Sequence, residues 1–190
     1  MIKVLRLNNN NSLKTLKIFL DKRKSAQKSQ ASVVNKIIQN VKKNGDQAVL
    51  SYEKRFSKIK TKSNKIIFST REINKIAKQT SSEIKRSIDL AYKRIKQFHL
   101  KQKYSSFSFK DKYKNILSYK YSSIEKVGVY VPGGTASYPS TVLMNCIPAK
   151  VAGVKNIYLT TPALNAKINP AIVYAAKKCG VKKIYKTGGA

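Results

Sequence analysis

The chain has 190 residues, with 40 Lys and Arg against 8 Asp and Glu, a single His and a formal net charge of +32. That length holds one or two domains with an ordinary core, and the charge sets nucleic acid, an anionic membrane or an acidic partner as competitors of a catalytic role. No run of about 18 apolar residues occurs, no signal-like stretch of ~7–15 apolar residues stands at the start of the sequence, and there are two cysteines, so a soluble, cytoplasmic protein is expected.

In chain order, Ile2 to Leu7 reads as extended, and Asn8 to Ser12 supplies turn and cap chemistry before Leu13, Leu16, Phe19 and Leu20 at helical spacing. Val33, Val34, Ile37, Ile38 and Val41 form one apolar stripe. Gly45 stops that helix, and Asp46 caps a next one carrying Val49, Leu50 and Phe56, which together make a helical hairpin. Ile66 to Phe68 is a short strand candidate. Ser69 or Thr70 with Glu72 then opens a helical region that reaches Lys101, with a break near Thr80-Ser81-Ser82. From Tyr104 to Tyr121 aromatic and polar residues alternate, predicting one or two half-exposed strands.

The pattern changes near Ser123, which divides a mainly helical region, 1–123, from an α/β part, 124–190. The second part reads as strand 127–131, helix 140–152, strand 156–160, helix 169–179 and strand 183–187. This is an incomplete, Rossmann-like βαβαβ unit, in which right-handed crossovers place three parallel strands in one sheet. Val127 to Val131 is apolar enough to be covered on both faces, and Ser140 or Thr141 can cap the helix that follows. A parallel sheet normally continues for more strands, so three strands ending at Ala190 predict an uncovered edge and an incomplete fold.

The carboxyl ends of these strands carry Pro132 to Ser137, Thr161 to Asn169 and Gly188-Gly189, and a ligand cleft belongs on that edge. Gly133 and Gly134 before a helix start bring backbone amides close to an anion, or form a tight turn without a ligand. Neither a Gly-x-Gly-x-x-Gly nor a Gly-Lys-Ser/Thr pattern is present, and no acidic residue follows after Glu125. The expected cleft therefore contains no carboxylate for general-base or metal work. Tyr130 closes its strand, either as a rim or core tyrosine or as a ring that borders a planar ligand.

His99, far in sequence from Asp89 and Asp111, builds neither a metal site nor a triad and reads as structural. Cys146 and Cys179 lie in apolar helical contexts without Cys-x-x-Cys spacing, as buried thiols in a reduced, cytoplasmic compartment do. Lys150, Lys155 and Lys167 border the cleft in the pattern and read as solvated lysines rather than Schiff-base formers.

The run Val127-Gly-Val-Tyr-Val-Pro-Gly-Gly-Thr-Ala-Ser-Tyr-Pro-Ser-Thr-Val-Leu-Met144 closely resembles the histidinol dehydrogenase family. So do Lys42-Lys-Asn-Gly-Asp-Gln-Ala48 with Tyr52 and Phe56, Ile95 to Gln102, Ile147 to Val154, Lys167 to Ala171 and Ile184 to Ala190. The chain departs from that pattern at Tyr104 to Tyr121, where a tryptophan and a glycine common in relatives are missing.

The resemblance implies the N-terminal portion of a zinc-dependent enzyme that oxidises L-histidinol through an aldehyde to L-histidine with two NAD+. It implies a homodimer, contact of Tyr130 with the NAD cofactor, and zinc ligands and acid–base residues beyond Ala190. This stretch then carries no catalytic and no metal-binding residue and is inactive alone. No membrane and no specific nucleic acid is expected. The competing readings are a basic module for polyanions such as RNA and an inactive remnant. Only six of the forty basic residues are arginine, and no block reaches five or six consecutive like charges. Lysine lacks the planar fork that reads base edges, and Lys, Asn and Ile share A/T-rich codons, so gene composition accounts for much of the charge.

Overall fold

A computed structural model describes residues 10–57, 66–133, 138–163 and 167–188, in two compact units divided between Ala48 and Val49. Helix α1 (Asn10–Phe56) is interrupted at Gly45, whose φ of 54° and ψ of −135° suit a residue without a Cβ. The break falls where the sequence predicts it, but the stretch between Leu20 and Val33 stays helical, so the two N-terminal helices read separately are one run. In the first unit Val33, Val34 and Ile38 are exposed, and Ile37 and Val41 of the same stripe are half-buried.

The second unit continues through α2 (Thr70–Lys78), α3 (Ser82–Lys101), β1 (Phe107–Lys110), β2 (Ile116–Tyr119), β3 (Lys126–Tyr130), α4 (Pro139–Val151), β4 (Asn156–Thr160), α5 (Pro170–Cys179) and β5 (Lys183–Tyr185). Ser69 caps α2: its hydroxyl accepts from the Glu72 amide at 3.2 Å, and its own amide donates to Glu72 Oε2 at 2.8 Å. Ser81 accepts from the Ile84 amide at 3.3 Å and starts α3 after the predicted break. For α4 the expected Ser140 or Thr141 cap is not used. Tyr138 is the N-cap without a side-chain bond, and Pro139 takes the first helical position, where its fixed φ suits the helix and its missing N–H removes one of the unpaired donors, while Thr141 N donates to Tyr138 O at 3.1 Å. Asn169 caps α5, accepting from the Ala171 amide at 2.8 Å, and Gly180 ends it in the left-handed conformation, φ 75°.

β3, β4 and β5 form a parallel sheet in that order, with Val129 opposite Leu159 and Leu159 opposite Ile184. The expected three-stranded parallel arrangement is therefore present. Burial alternates along β4, where Ile157 and Leu159 are buried and Tyr158 is only half-buried. In β3 only Val129 is buried, with Val127 half-buried on the same face and Gly128 and Tyr130 exposed on the other, so one face is covered rather than both as its composition predicts.

Helices α4 and α5 pack on each other, with α3 against α4 and α2 against α5. Phe68, Ala77 and Ile88 join Val142, Cys146, Ile147, Leu159, Val173 and Ile184 in one core, so residues on both sides of Ser123 share it. Apolar burial of this kind supplies ~25 cal/mol per Å².

Two connector expectations change. Ile66 to Phe68 is not a full strand: Ile67 makes a single antiparallel bridge to Tyr185, with Phe68 N donating to Ile184 O at 3.0 Å and Lys186 N to Ile66 O at 2.7 Å. β1 and β2 pair antiparallel as a hairpin, but both are exposed throughout rather than half-exposed. Asp111 makes the hairpin turn by accepting from the amides of Tyr113 and Asn115, both at 2.8 Å.

Candidate functional site

The parallel register brings the carboxyl ends of β3, β4 and β5 to one edge. Val131 N donates to Thr160 O at 2.9 Å and Thr161 N to Tyr185 O at 3.1 Å, so the ladder continues one residue past β3 and one past β4. Tyr130 ends β3 and is 49% exposed, whereas Val131 beside it is fully buried. The strand end thus fixes the backbone while leaving the tyrosine ring open on one side.

Gly188 packs against that ring and against Pro162, and Gly133 packs against Pro162. A Cβ on Gly188 would lie 2.8 Å from Cε2 of Tyr130 and 3.2 Å from Cδ of Pro162, and Gly188 has a φ of 144°. A Cβ on Gly133 would lie 2.5 Å from Cγ and 2.9 Å from the carbonyl oxygen of Pro162. The backbone after each of the three strands therefore approaches its neighbour more closely than a side chain allows.

Beneath this edge lies a carboxylate. Glu53, near the end of α1, is only 6% exposed. Its Oε1 accepts from the Thr187 hydroxyl at 2.6 Å and the Gly188 amide at 3.0 Å. The Thr160 hydroxyl donates to the Thr187 carbonyl, tying the same turn to β4. Among the described residues, Oε2 of Glu53 and Oγ1 of Thr161 are buried without a hydrogen-bond partner. Next to Thr187, the buried Lys186 places its ammonium 4.1 Å from the centre of the Phe68 ring and 3.5 Å from Oε1 of Glu72.

The expectation that this edge holds no carboxylate is corrected by Glu53, which arrives from a distant part of the chain. A signal existed: Glu53 stands four residues after Val49 and three before Phe56, on the apolar face of its helix. Its destination, Thr187, is 134 residues away and is not legible from that spacing.

Other candidates separate. Lys150, Lys155 and Lys167 are exposed. Lys150 ends α4 beside Gly180, and Lys155 precedes β4, so these two lie at the amino ends of the strands and do not border the cleft. His99 is half-buried with Nδ1 2.7 Å from Oε1 of Gln102. Cys146 and Cys179 are free and buried. Among the described residues, no group of three or more His, Cys, Asp and Glu side chains is placed to hold a metal ion, and no helix is long and apolar enough to cross a membrane. The part of the glycine motif from Gly134 to Ser137, and Gly189, lie outside the described residues.

The histidinol dehydrogenase family model matches residues 20–190. The chain belongs to the histidinol dehydrogenase family. It is 52% identical over 190 residues to a histidinol dehydrogenase of Pelagibacter ubique (strain HTCC1062), covering 100% of this chain and 43% of that one. Against a histidinol dehydrogenase of Prochlorococcus marinus subsp. pastoris, identity is 42% over 160 residues, covering 84% and 37%. The crystal structure of histidinol dehydrogenase from Elizabethkingia anophelis superposes with a TM-score of 0.76 at 36% identity, over 84% of this chain and 36% of that one. The chain thus spans less than half the length of the histidinol dehydrogenases it matches.

Proposed function

We propose that the edge formed by the carboxyl ends of β3, β4 and β5 is one wall of the NAD+ site of a histidinol dehydrogenase. The whole protein then oxidises L-histidinol through the aldehyde to L-histidine, in histidine biosynthesis, as a cytoplasmic homodimer. Family membership supports the reaction class. The exposure of Val33, Val34 and Ile38 supports a role of α1 in pairing two copies. The change of pattern at Ser123 supports a division into a helical region, 1–123, and an α/β part, 124–190.

The observation that carries the cofactor reading is the half-open ring of Tyr130 set against the side-chain-free backbone of Gly188. A planar aromatic ligand fits such an edge: the ring offers an apolar face, and the glycine positions let a ligand approach main-chain atoms. NAD+ supplies the hydride acceptor when bound. Tyr130 orients it and shields one side from water, and the Thr187–Gly188 turn holds the tyrosine in place. No described group fits zinc, and we assign zinc binding and proton transfer to residues outside this stretch, which would leave the stretch inactive alone.

The test is NAD+ titration of the native polypeptide and its Tyr130→Ala and Tyr130→Phe variants. Removing the ring is expected to weaken binding about tenfold, as loss of an aromatic contact does, while phenylalanine stays near wild type. Unchanged affinity in Tyr130→Ala would sink the assignment.

A further inference from the structure

We propose that Glu53 is a positioning residue for the cofactor edge: its carboxylate holds the Thr187–Gly188 turn against the ring of Tyr130. The proposal rests on the reading of Tyr130 as a cofactor contact. Three observations carry it. First, Glu53 is a buried acid in a chain with only eight acidic residues, and burial of a carboxylate is unfavourable unless donors meet it. Second, both donors that meet Oε1 belong to one turn, the Thr187 hydroxyl at 2.6 Å and the Gly188 amide at 3.0 Å. Such charge-assisted bonds are the stronger class and fix direction as well as distance. Third, Gly188 is the residue whose Cβ position is closed off by Cε2 of Tyr130, at 2.8 Å, together with Pro162.

The chain of contacts is therefore short: Glu53 to Gly188, and Gly188 to Tyr130. Without the carboxylate, the Gly188 amide and Thr187 hydroxyl lose their acceptor, and the turn is free to move away from the ring. Thr160 still holds the Thr187 carbonyl, so the strand end itself stays tied to β4. Glu53 acts on the ligand only through this turn, which distinguishes it from a residue that touches the cofactor.

The native polypeptide and its Glu53→Ala, Glu53→Gln and Thr187→Val variants are compared by NAD+ titration and by hydrogen–deuterium exchange over residues 185–189. Glu53→Ala is expected to raise the Kd for NAD+ about tenfold and to speed exchange in that segment. Glutamine keeps both the shape and an acceptor oxygen and should restore both to within about twofold of wild type, so the separation of hydrogen bonding from packing rests on Thr187→Val, which keeps the branched shape and lacks the hydroxyl. Thr187→Val removes one of the two donors and should fall between them, and together with glutamine it keeps the test available where alanine prevents folding. Wild-type exchange and affinity in both Glu53→Ala and Thr187→Val overturn the proposal. Faster exchange in Glu53→Ala together with an unchanged Kd in Tyr130→Ala overturns it differently: the turn is then ordered by Glu53, but the edge is not the cofactor site.

Discussion

Gly188 lies so close to Tyr130 that a Cβ on its backbone would stand 2.8 Å from Cε2 of the ring. With a φ of 144° as well, Gly188→Ala meets strain and a clash at once. It is expected to lower unfolding stability by about 1–3 kcal/mol in urea titrations. Gly128→Ala is the control: nothing lies within 4 Å of its Cβ position, and it should stay within about 0.5 kcal/mol of wild type. Equal losses in both would contradict this packing.

Asp89 on α3 and α5 are joined by a compact polar cluster. The Tyr174 hydroxyl donates to both Asp89 oxygens, at 3.0 and 3.1 Å, and Lys178 Nζ lies 2.9 Å from Oδ1. The Lys178 hydrogen bond, with that of Tyr174, holds the Asp89 carboxyl below its ordinary value near 3.8, and Asp89 holds Lys178 above its ordinary value near 10.5. Burial, then Asp89, raises Tyr174 above 10.0. For a depressed acid, the stability gained is present above the unfolded value and is lost as pH falls through the folded one. For the raised lysine and tyrosine it is present below their unfolded values and is lost as pH rises through the folded ones. Because about a third of each ion-pair side chain is exposed, solvent screening limits the effect, and Asp89→Asn should cost about 0.5–1 kcal/mol at neutral pH. That difference should shrink below pH 3.8 as the wild-type acid protonates. A pH-independent difference in thermal unfolding would contradict an electrostatic origin.

The start of α2 depends on Ser69. Its amide, then its hydroxyl, lower the Glu72 carboxyl, with a smaller contribution from Lys186. Ser69→Ala removes the hydroxyl half of the capping box and should destabilise the second unit by about 1 kcal/mol, read by chemical denaturation. Ser69→Asp should recover most of that, since an aspartate also accepts from the helix amides.

The two thiols are shielded by packing. The neighbouring Cys179 thiol and burial push Cys146 well above the ordinary thiol range. Native protein should react with a neutral thiol reagent only as fast as it opens, and both cysteines should label together on adding denaturant. Rapid labelling of either one in native buffer would place it at the surface.

With a net charge of +32, the chain should bind heparin or RNA without sequence preference, and that binding should collapse between ~50 and ~200 mM salt. Sequence-selective binding that survives the higher salt would favour a nucleic-acid role over the enzyme reading.

Much of the second unit is legible in sequence because its signals are local. Ser69 opens α2 where its cap chemistry predicts, the Thr80-Ser81-Ser82 break separates α2 from α3, α5 fits the expected 169–179 helix, and the β-branched runs mark β3 and β4. Tyr130 likewise ends its strand where the motif places it. What local pattern misses is set by distant partners. The burial of Glu53 depends on Thr187 and Gly188, and the reduction of Ile66–Phe68 to one bridge depends on β5. At α4 the helix starts at Pro139, ahead of the two hydroxyl residues expected to cap it.

The pairing of Ile66–Phe68 with Ile184–Lys186 also orders events in time. Main-chain bonds between these segments join residues more than a hundred positions apart, so their formation carries a loop-closure cost that local helices do not. During synthesis, α2 and α3 can coil soon after leaving the ribosome, whereas the segment before α2 has no partner until Lys186 has emerged. The edge that gathers Glu53, Tyr130 and Gly188 is thus among the last parts of this stretch to be assembled.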